Sequence, residues 1–143
     1  MTTFKPDNVP YLMPYLTVTD PVKAMAEYNE SFGMEAGQTI TDDDGVTVFG
    51  EMNYQGQMLI MLGKEGSFGD QALAPIHEGR VSPVALYVYC IDVDALHDRA
   101  GSRGIEVLAQ PQNMFWGDRV AKFKDTNGHL WSFATRLESA PTM

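Results

Sequence analysis

An internal repeat is the feature that most restricts the fold of this sequence. Residues 14–36, PYLTVTDPVKAMAEYNESFGMEA, share a pattern with residues 85–107, ALYVYCIDVDALHDRAGSRGIEV, at an offset of 71 positions. In each copy a β-rich run ends at an aspartate-containing corner, and an amphipathic helix follows. The helix then stops at Gly33 or Gly104, because glycine most easily adopts the left-handed conformation that ends a helix. The pattern predicts the same strand–helix unit twice in one chain.

The segments that follow the two helices also repeat. Residues 45–62, GVTVFGEMNYQGQMLIML, predict a strand, a turn at NYQG and a second strand. Residues 118–135, DRVAKFKDTNGHLWSFAT, predict the same around DTNG. Each half is therefore expected to be β-α-β-β-β, which leaves one sheet face uncovered. We expect an α+β fold in which two tandem βαβββ modules form a curved, cup-shaped mixed sheet, with the helices on its outer face.

The same repeat predicts the organisation of the whole chain. We expect a single domain over residues 1–143, with module 1 at about 10–63 and module 2 at about 83–136. The connector at 64–82 is rich in glycine, proline and charge, and residues 137–143 are expected to be a tail.

Composition excludes several classes of protein. The chain is 44% hydrophobic and 20% charged, and its apolar runs are too short to span a bilayer. A net charge of −9 repels nucleic-acid phosphates and anionic membranes, so we expect neither as a partner. A single cysteine, Cys90, and the absence of a secretory pattern at the N-terminus indicate a cytoplasmic protein.

Three segments together resemble a known family. The opening segment at 14–36, FWGDR at 115–119 and DTNGHLWSFAT at 125–135 are similar to the glyoxalase/bleomycin-resistance/dioxygenase family, the vicinal oxygen chelate superfamily. The resemblance covers about residues 10–136 and is closest to an uncharacterised bacterial glyoxalase-like branch with an FWGDR-type segment. It implies a homodimer, because family members commonly complete or flank the cup across a two-fold interface.

The resemblance also implies where a metal would be bound. Family enzymes place one ligand, usually His, Glu or Gln, on the first and on the last strand of each module. Counting from the helix and turn glycines puts these positions on Met13, Ile60, Ser132 and either Val84 or Ala85. Such side chains cannot form a three- or four-ligand site, and a slip of one residue supplies no better donor. We therefore predict no metal and no other cofactor.

Aromatic side chains are the main candidates for ligand contact. The ALYVYC segment places Tyr87 and Tyr89 on one strand face, with Tyr15 at the matching place in module 1 if the register slips by one residue. The sequence leaves open whether this face lines the cup or packs beneath the helices. Phe115 and Trp116 lie in a loop before a Gly-Asp turn, where large aromatics are either covered or form a contact site.

Few charged residues are candidates for ligand binding or catalysis. Glu51 interrupts an apolar strand, so its carboxylate either points to solvent or lies in the cup, where it would bind a cation or act as a base. Asp118 and Arg119 are adjacent after Trp116 and could pair with each other or with a partner subunit.

Three functions remain open. The first is a metal-free small-molecule-binding protein that sequesters an aromatic or cationic antibiotic-like ligand, as in antibiotic resistance. It is favoured by the unsuitable metal positions and by the aromatic candidates. The second is a lyase, isomerase or dioxygenase-type enzyme of the same superfamily. The third is a ligand-sensing or accessory interaction module, because one fold hosts many functions.

Overall fold

Both modules form as β-α-β-β-β in the computed structural model, which describes residues 4–7, 9–69, 71–79 and 81–138. Module 1 contains β1 (Tyr15–Val18), α1 (Pro21–Phe32), β2 (Glu35–Thr41), β3 (Thr47–Tyr54) and β4 (Gln57–Lys64). Module 2 contains β5 (Ala85–Tyr89), α2 (Val93–Ser102), β6 (Glu106–Asn113), β7 (Asp118–Lys124) and β8 (Leu130–Arg136). The predicted α+β fold with two tandem modules is therefore confirmed.

Each module builds a four-stranded mixed sheet with the same topology. The strand orders are β1-β4-β3-β2 and β5-β8-β7-β6. The first and last strands of each module pair in parallel, and the other neighbours are antiparallel. The chain divides into a first unit, Met1–Asn29 with Gly33–Ala74, and a second unit, Glu30–Phe32 with Pro75–Met143. The expected single domain and its boundaries stay a prediction.

Local sequence explains the ends of both helices. The side chains of Asp20 and Asp92 accept hydrogen bonds from backbone N–H groups of the first turn, as N-caps do. Gly33 ends α1 with φ of 74°. The end of α2 differs slightly from the prediction, because the helix stops at Ser102 and Gly104, with φ of 86°, follows two residues later. Within the described part of the chain, neither helix is long and apolar enough to cross a membrane.

Side-chain alternation gives the first sheet one face toward α1 and one face away from it. Met25 of α1 packs against Gly50 of β3, and the neighbouring Met52 is fully buried on the same face. The intervening residues of β3, Phe49 and Glu51, are half-buried and point to the other face. The candidate residues of module 1 therefore lie on the face that α1 does not cover.

The core of the second unit is aromatic. Phe32, the last residue of α1, lies with its ring centroid 5.5 Å from Phe123, 5.4 Å from Trp131 and 4.6 Å from Phe133. The three partners come from β7 and β8, and α2 packs on the same two strands and on β6. This face of the second sheet is therefore filled.

The face of β5 that the sequence left open is decided by this packing. Val88 is 7% exposed and lies on the core face, whereas Tyr87 and Tyr89 are 44% and 57% exposed and point the other way. Leu86, on the same face as Val88, is half-buried, and Val84 precedes the strand and is exposed.

Candidate functional site

A cavity of about 590 Å³ opens on the uncovered face of the first sheet. We call it the first-sheet cavity. Its lining is apolar and mostly aromatic: Tyr15, Ile40, Phe49, Phe68 and Gly69. Cavities of this size with apolar and aromatic walls are typical of small-molecule sites in proteins.

Glycine makes room for the first wall of the cavity. A Cβ atom at Gly63 would fall on the hydroxyl and ring of Tyr15, so the tyrosine ring lies directly over the backbone of β4. Gly63 is also the cross-strand partner of Phe49. The Tyr15 and Phe49 ring centroids are 6.2 Å apart with their planes tilted by 37°. The glycine therefore lets two rings from β1 and β3 form one continuous aromatic surface.

The second wall comes from a strained loop. Phe68 has φ of 57° and ψ of 29°, a left-handed conformation that is uncommon for a bulky residue. Gly66 and Gly69 on either side also have positive φ, at 76° and 73°. Phe68 is 63% exposed although it lines the cavity. Such strain persists where the surrounding chain enforces it, and it occurs often at ligand sites.

A second group of aromatic side chains lies in the second unit, around a buried carboxylate. We call Tyr87, Tyr89, Trp116 and Asp118 the tyrosine–aspartate cluster. Both tyrosine hydroxyls donate to Asp118 Oδ2, at 2.7 Å from Tyr87 and 2.8 Å from Tyr89. The indole Nε1 of Trp116 donates to the Tyr87 hydroxyl at 3.1 Å. Phe115 adds an edge-on ring 5.0 Å from Trp116 and is 88% exposed.

This hydrogen-bond network and the nearby Arg136 keep Asp118 ionised. Burial alone would raise the pKa of Asp118, but the hydrogen bonds from Tyr87 and Tyr89 and the nearby Arg136 guanidinium lower it instead. Arg136 Nη1 lies 3.7 Å from Asp118 Oδ1, and that oxygen accepts no hydrogen bond from the described residues. Burial and the bond to Asp118 raise the pKa of Tyr87 to about 12. At neutral pH the aspartate is thus ionised and the tyrosine keeps its proton.

The lowered pKa of Asp118 predicts how acid affects stability. A carboxyl whose folded-state pKa lies below its ordinary value of 3.8 stabilises the fold fully above that pH, and the contribution is lost as the pH falls through the folded-state pKa. We expect the wild type to be more stable than Asp118→Asn at neutral pH and the difference to shrink in acid. Urea unfolding at a series of pH values measures this. A difference that persists unchanged into strong acid would contradict it.

The six candidate residues from the sequence fall into two places. Tyr87, Tyr89, Phe115 and Trp116 come together in the second unit, whereas Tyr15 lines the first-sheet cavity. Glu51 is the cross-strand neighbour of Met61, which in turn pairs with Tyr15. It therefore shares the uncovered face of the first sheet but is not among the residues that line the cavity. Ligand binding by the six residues stays a prediction.

Of the two pairings that the sequence left open for Asp118 and Arg119, the one with each other does not form. Arg119 donates to Asp94 through Nε at 2.8 Å and through Nη2 at 3.0 Å, a bidentate ion pair between β7 and α2. Successive strand residues point to opposite faces, so the two neighbours are separated by the sheet. Asp118 is turned toward the tyrosines, and Arg119 toward the helix.

Four residues that line the cavity were not predicted from the sequence, Ile40, Phe49, Phe68 and Gly69, and neither was the role of Asp118. Phe49 lies two residues before Glu51 in β3, so period-two alternation places both on one face and could have identified Phe49 from the sequence. Phe68 stands in the GSFG stretch of the connector, where a large aromatic between glycines indicates a loop with a specific shape. Ile40 and the partnership of Asp118 with the tyrosines depend on strand pairing and left no local pattern.

The positions that the family uses for a metal do not suit one here. Met13 precedes β1, and Ile60 is buried on the α1 side of the first sheet. Met61 lies on the uncovered face instead, and Ser132 holds the corresponding place opposite Tyr87 in the second sheet. Among the described residues, no three His, Cys, Asp or Glu side chains are grouped so that they could hold a metal ion. The donor set does not fit a metal of this family.

Comparisons with known proteins agree with this architecture. The sequence model of the Glyoxalase/Bleomycin resistance protein/Dioxygenase superfamily matches residues 9–133. An uncharacterized protein of Mycobacterium bovis is 30% identical over 126 residues, which cover 86% of this chain and 81% of that protein. TioX from Micromonospora sp. ML1 superposes with a TM-score of 0.71 at 23% identity, over 90% of this chain and 99% of TioX.

A resistance protein shares the same fold. FosX, a genomically encoded fosfomycin resistance protein from Listeria monocytogenes, superposes with a TM-score of 0.62 at 17% identity. The match covers 90% of this chain and 94% of FosX. At such identities the TioX and FosX superpositions show a common fold. The narrower FWGDR-type branch stays a prediction.

Proposed function

The chain belongs to the Glyoxalase/Bleomycin resistance protein/Dioxygenase superfamily, and within it we propose a metal-free protein that binds a small aromatic molecule in the first-sheet cavity. The cavity carries this proposal: an open cavity of about 590 Å³ that is lined by three aromatic rings, those of Tyr15, Phe49 and Phe68, together with Ile40 and Gly69. That volume suits two or three fused rings, and three aromatic walls recognise such a ligand by stacking. Sequestration of an antibiotic-like compound is the role that we propose for this binding.

The protonation states in the second unit weigh against Asp118 or Tyr87 as a general acid or base. A general acid or base works best when its pKa lies near the working pH. The pKa of Asp118 is lowered and that of Tyr87 is raised to about 12, so neither group exchanges a proton readily at neutral pH. The proposal of binding therefore rests on the first-sheet cavity and on the unsuitable metal positions, and Asp118 and Tyr87 add no acid–base pair to set against it.

Assembly and location belong to the same proposal. We propose a cytoplasmic homodimer with a small-molecule ligand and without nucleic-acid or membrane partners. The support is the family resemblance for the dimer and the net charge of −9 for the excluded partners.

Replacing Phe68 tests the proposed cavity. We expect Phe68→Ala to weaken binding of a planar tricyclic probe, acridine, by about tenfold, since stacking against a ring is worth about 0.5–1.5 kcal/mol beyond the lost apolar contact. The thermal midpoint should stay within a few degrees, because Phe68 is largely exposed. Fluorescence titration of acridine gives the affinity, and the same titration in the presence of divalent metals tests the metal-free character.

A matched variant in the other unit serves as the control. Phe115 is also an exposed phenylalanine, but it lies outside the first-sheet cavity. Phe115→Ala should leave acridine binding unchanged. Equal losses in both variants would place the acridine site elsewhere, and acridine binding that requires a divalent metal would return the enzyme hypothesis to first place.

A further inference from the structure

The tyrosine–aspartate cluster has a feature that the first-sheet cavity lacks: a buried negative charge behind exposed rings. Asp118 is 1% exposed, whereas Tyr87 and Tyr89 as whole residues are 44% and 57% exposed. Trp116 extends this surface through its hydrogen bond to the Tyr87 hydroxyl. All four residues lie in the second unit, so an inference about them does not depend on the proposed function of the first-sheet cavity.

The direction of the hydrogen bonds within the cluster determines whether it can bind a cation or an anion. The hydroxyl protons of Tyr87 and Tyr89 are both directed to Asp118, and the indole N–H of Trp116 is directed to Tyr87. The three side chains therefore have no donor left for an anion. Their exposed ring faces carry negative potential, and donation to a carboxylate draws further electron density onto the phenols. A cation placed on such faces is attracted by both the rings and the carboxylate behind them.

We propose that the tyrosine–aspartate cluster binds an organic cation of the alkylammonium class against the exposed Tyr87 and Tyr89 and the half-buried Trp116, with Asp118 as its buried counter-charge. The rings make the direct contacts. The aspartate acts as a positioning residue, because it holds both phenols by their hydroxyls and makes the site negative without touching the ligand. The net charge of −9 assists the approach of a cation over longer distances.

Cationic side chains on the same face oppose this ligand, and Arg136 and Lys122 are nearer to the two tyrosines in strand register than Lys124 is. Arg136 lies 3.7 Å from Asp118 Oδ1, but its Nη1 donates to the carbonyl oxygen of Trp116 at 3.0 Å. The Arg136 side chain is 46% exposed, so water screens part of its charge. Lys122 is exposed and separated from Tyr87 by the intervening strand residue Ser132. If these two cations dominated, the face would select an anion instead.

An isosteric ligand series separates the two possibilities. The probes are choline, its neutral carbon isostere dimethylbutanol and the anion dimethylbutanoate, which share a branched head group of one shape. Each is titrated into the protein while the nuclear magnetic resonance signals of the two indole N–H groups are followed. We expect choline to shift the Trp116 signal and to bind about tenfold more tightly than dimethylbutanol. The signal of Trp131, which is 1% exposed, should not move.

Charge variants then test the role of Asp118. Asp118→Asn keeps the shape and the acceptor oxygen, and we expect it to weaken choline binding about tenfold while dimethylbutanol binding stays unchanged. Arg136→Gln should strengthen choline binding, a gain that a merely structural role would not produce. Phe68→Ala is the control in the other unit and should change neither.

The opposite results overturn the proposal. Tighter binding of dimethylbutanoate than of choline would make Arg136 and Lys122 the anchors of an anion site. Equal affinities for choline and its neutral isostere would show an apolar surface without charge selection. Because acridine binding is measured separately with Phe68→Ala, failure here leaves the first-sheet cavity untouched, and failure there leaves the cation site untouched.

Discussion

Phe32→Ala should lower the free energy of unfolding by about 3–5 kcal/mol, the usual cost of emptying a buried phenylalanine site. Phe32 is 2% exposed, and three aromatic partners surround its ring with centroids 4.6 to 5.5 Å away. Rigid rings on two neighbouring strands cannot move inward to fill the space that the substitution creates. Urea unfolding followed by circular dichroism measures the loss.

Two further variants test whether the loss of stability in Phe32→Ala comes from the empty space left in the core. Phe32→Leu fills most of the volume and should recover at least half of the lost stability. Phe115→Ala removes the same ring from an exposed loop and should change stability by no more than about 0.5 kcal/mol. A loss below about 1 kcal/mol in Phe32→Ala would mean that the aromatic core repacks freely, contrary to the close packing expected of protein interiors.

Asp125→Ala is the second variant with a large expected effect, about 3 kcal/mol or more, because several buried donors lose one acceptor at once. Asp125 is 3% exposed and begins the turn between β7 and β8. Its Oδ1 accepts from the backbone N–H groups of Asn127 at 2.9 Å and His129 at 3.0 Å. Its Oδ2 accepts from Trp131 Nε1 at 2.9 Å, so the carboxylate ties the turn to the aromatic core.

The chain offers a matched control for this substitution in module 1. Asp42 makes the same kind of turn, since its Oδ1 accepts from the N–H groups of Asp44 and Val46, both at 2.9 Å. This turn is exposed, and water can replace the lost acceptor, so Asp42→Ala should cost only about 1 kcal/mol. Equal losses of stability in Asp125→Ala and Asp42→Ala would show that burial of the DTNG turn does not increase the contribution of its aspartate to stability. Chemical denaturation of both proteins under identical conditions decides between these outcomes.

Elements set by neighbouring residues could be predicted from the sequence. Asp20 and Asp92 cap their helices, and Gly33 ends α1 in the left-handed conformation. The turn at NYQG forms with positive φ at Gln55 and Gly56, at 52° and 78°, which matches the twist of the adjoining strands. In each case the backbone groups and the side chain that satisfies them lie within a few residues, so a linear pattern contains the information.

Contacts between strands could not be predicted in the same way. The ALYVYC alternation places Tyr87 and Tyr89 on one face but does not identify the face, since both possible cores satisfy the same period. The adjacency of Asp118 and Arg119 suggested a pair that the sheet separates. Adjacent residues in a strand are neighbours in the sequence, but their side chains point to opposite faces of the sheet.

What the sequence determined by itself is the repeated β-α-β-β-β order, the helix caps, the turns and the poor suitability of the metal positions. All of these follow from residue type and local spacing. Only the tertiary structure placed Phe49 and Phe68 beside Tyr15, and only the strand order β5-β8-β7 in the second sheet brought Asp118 of β7 to the two tyrosine hydroxyls of β5. Strand pairing joins residues that are far apart in the chain, and its register depends on the whole core rather than on any local pattern.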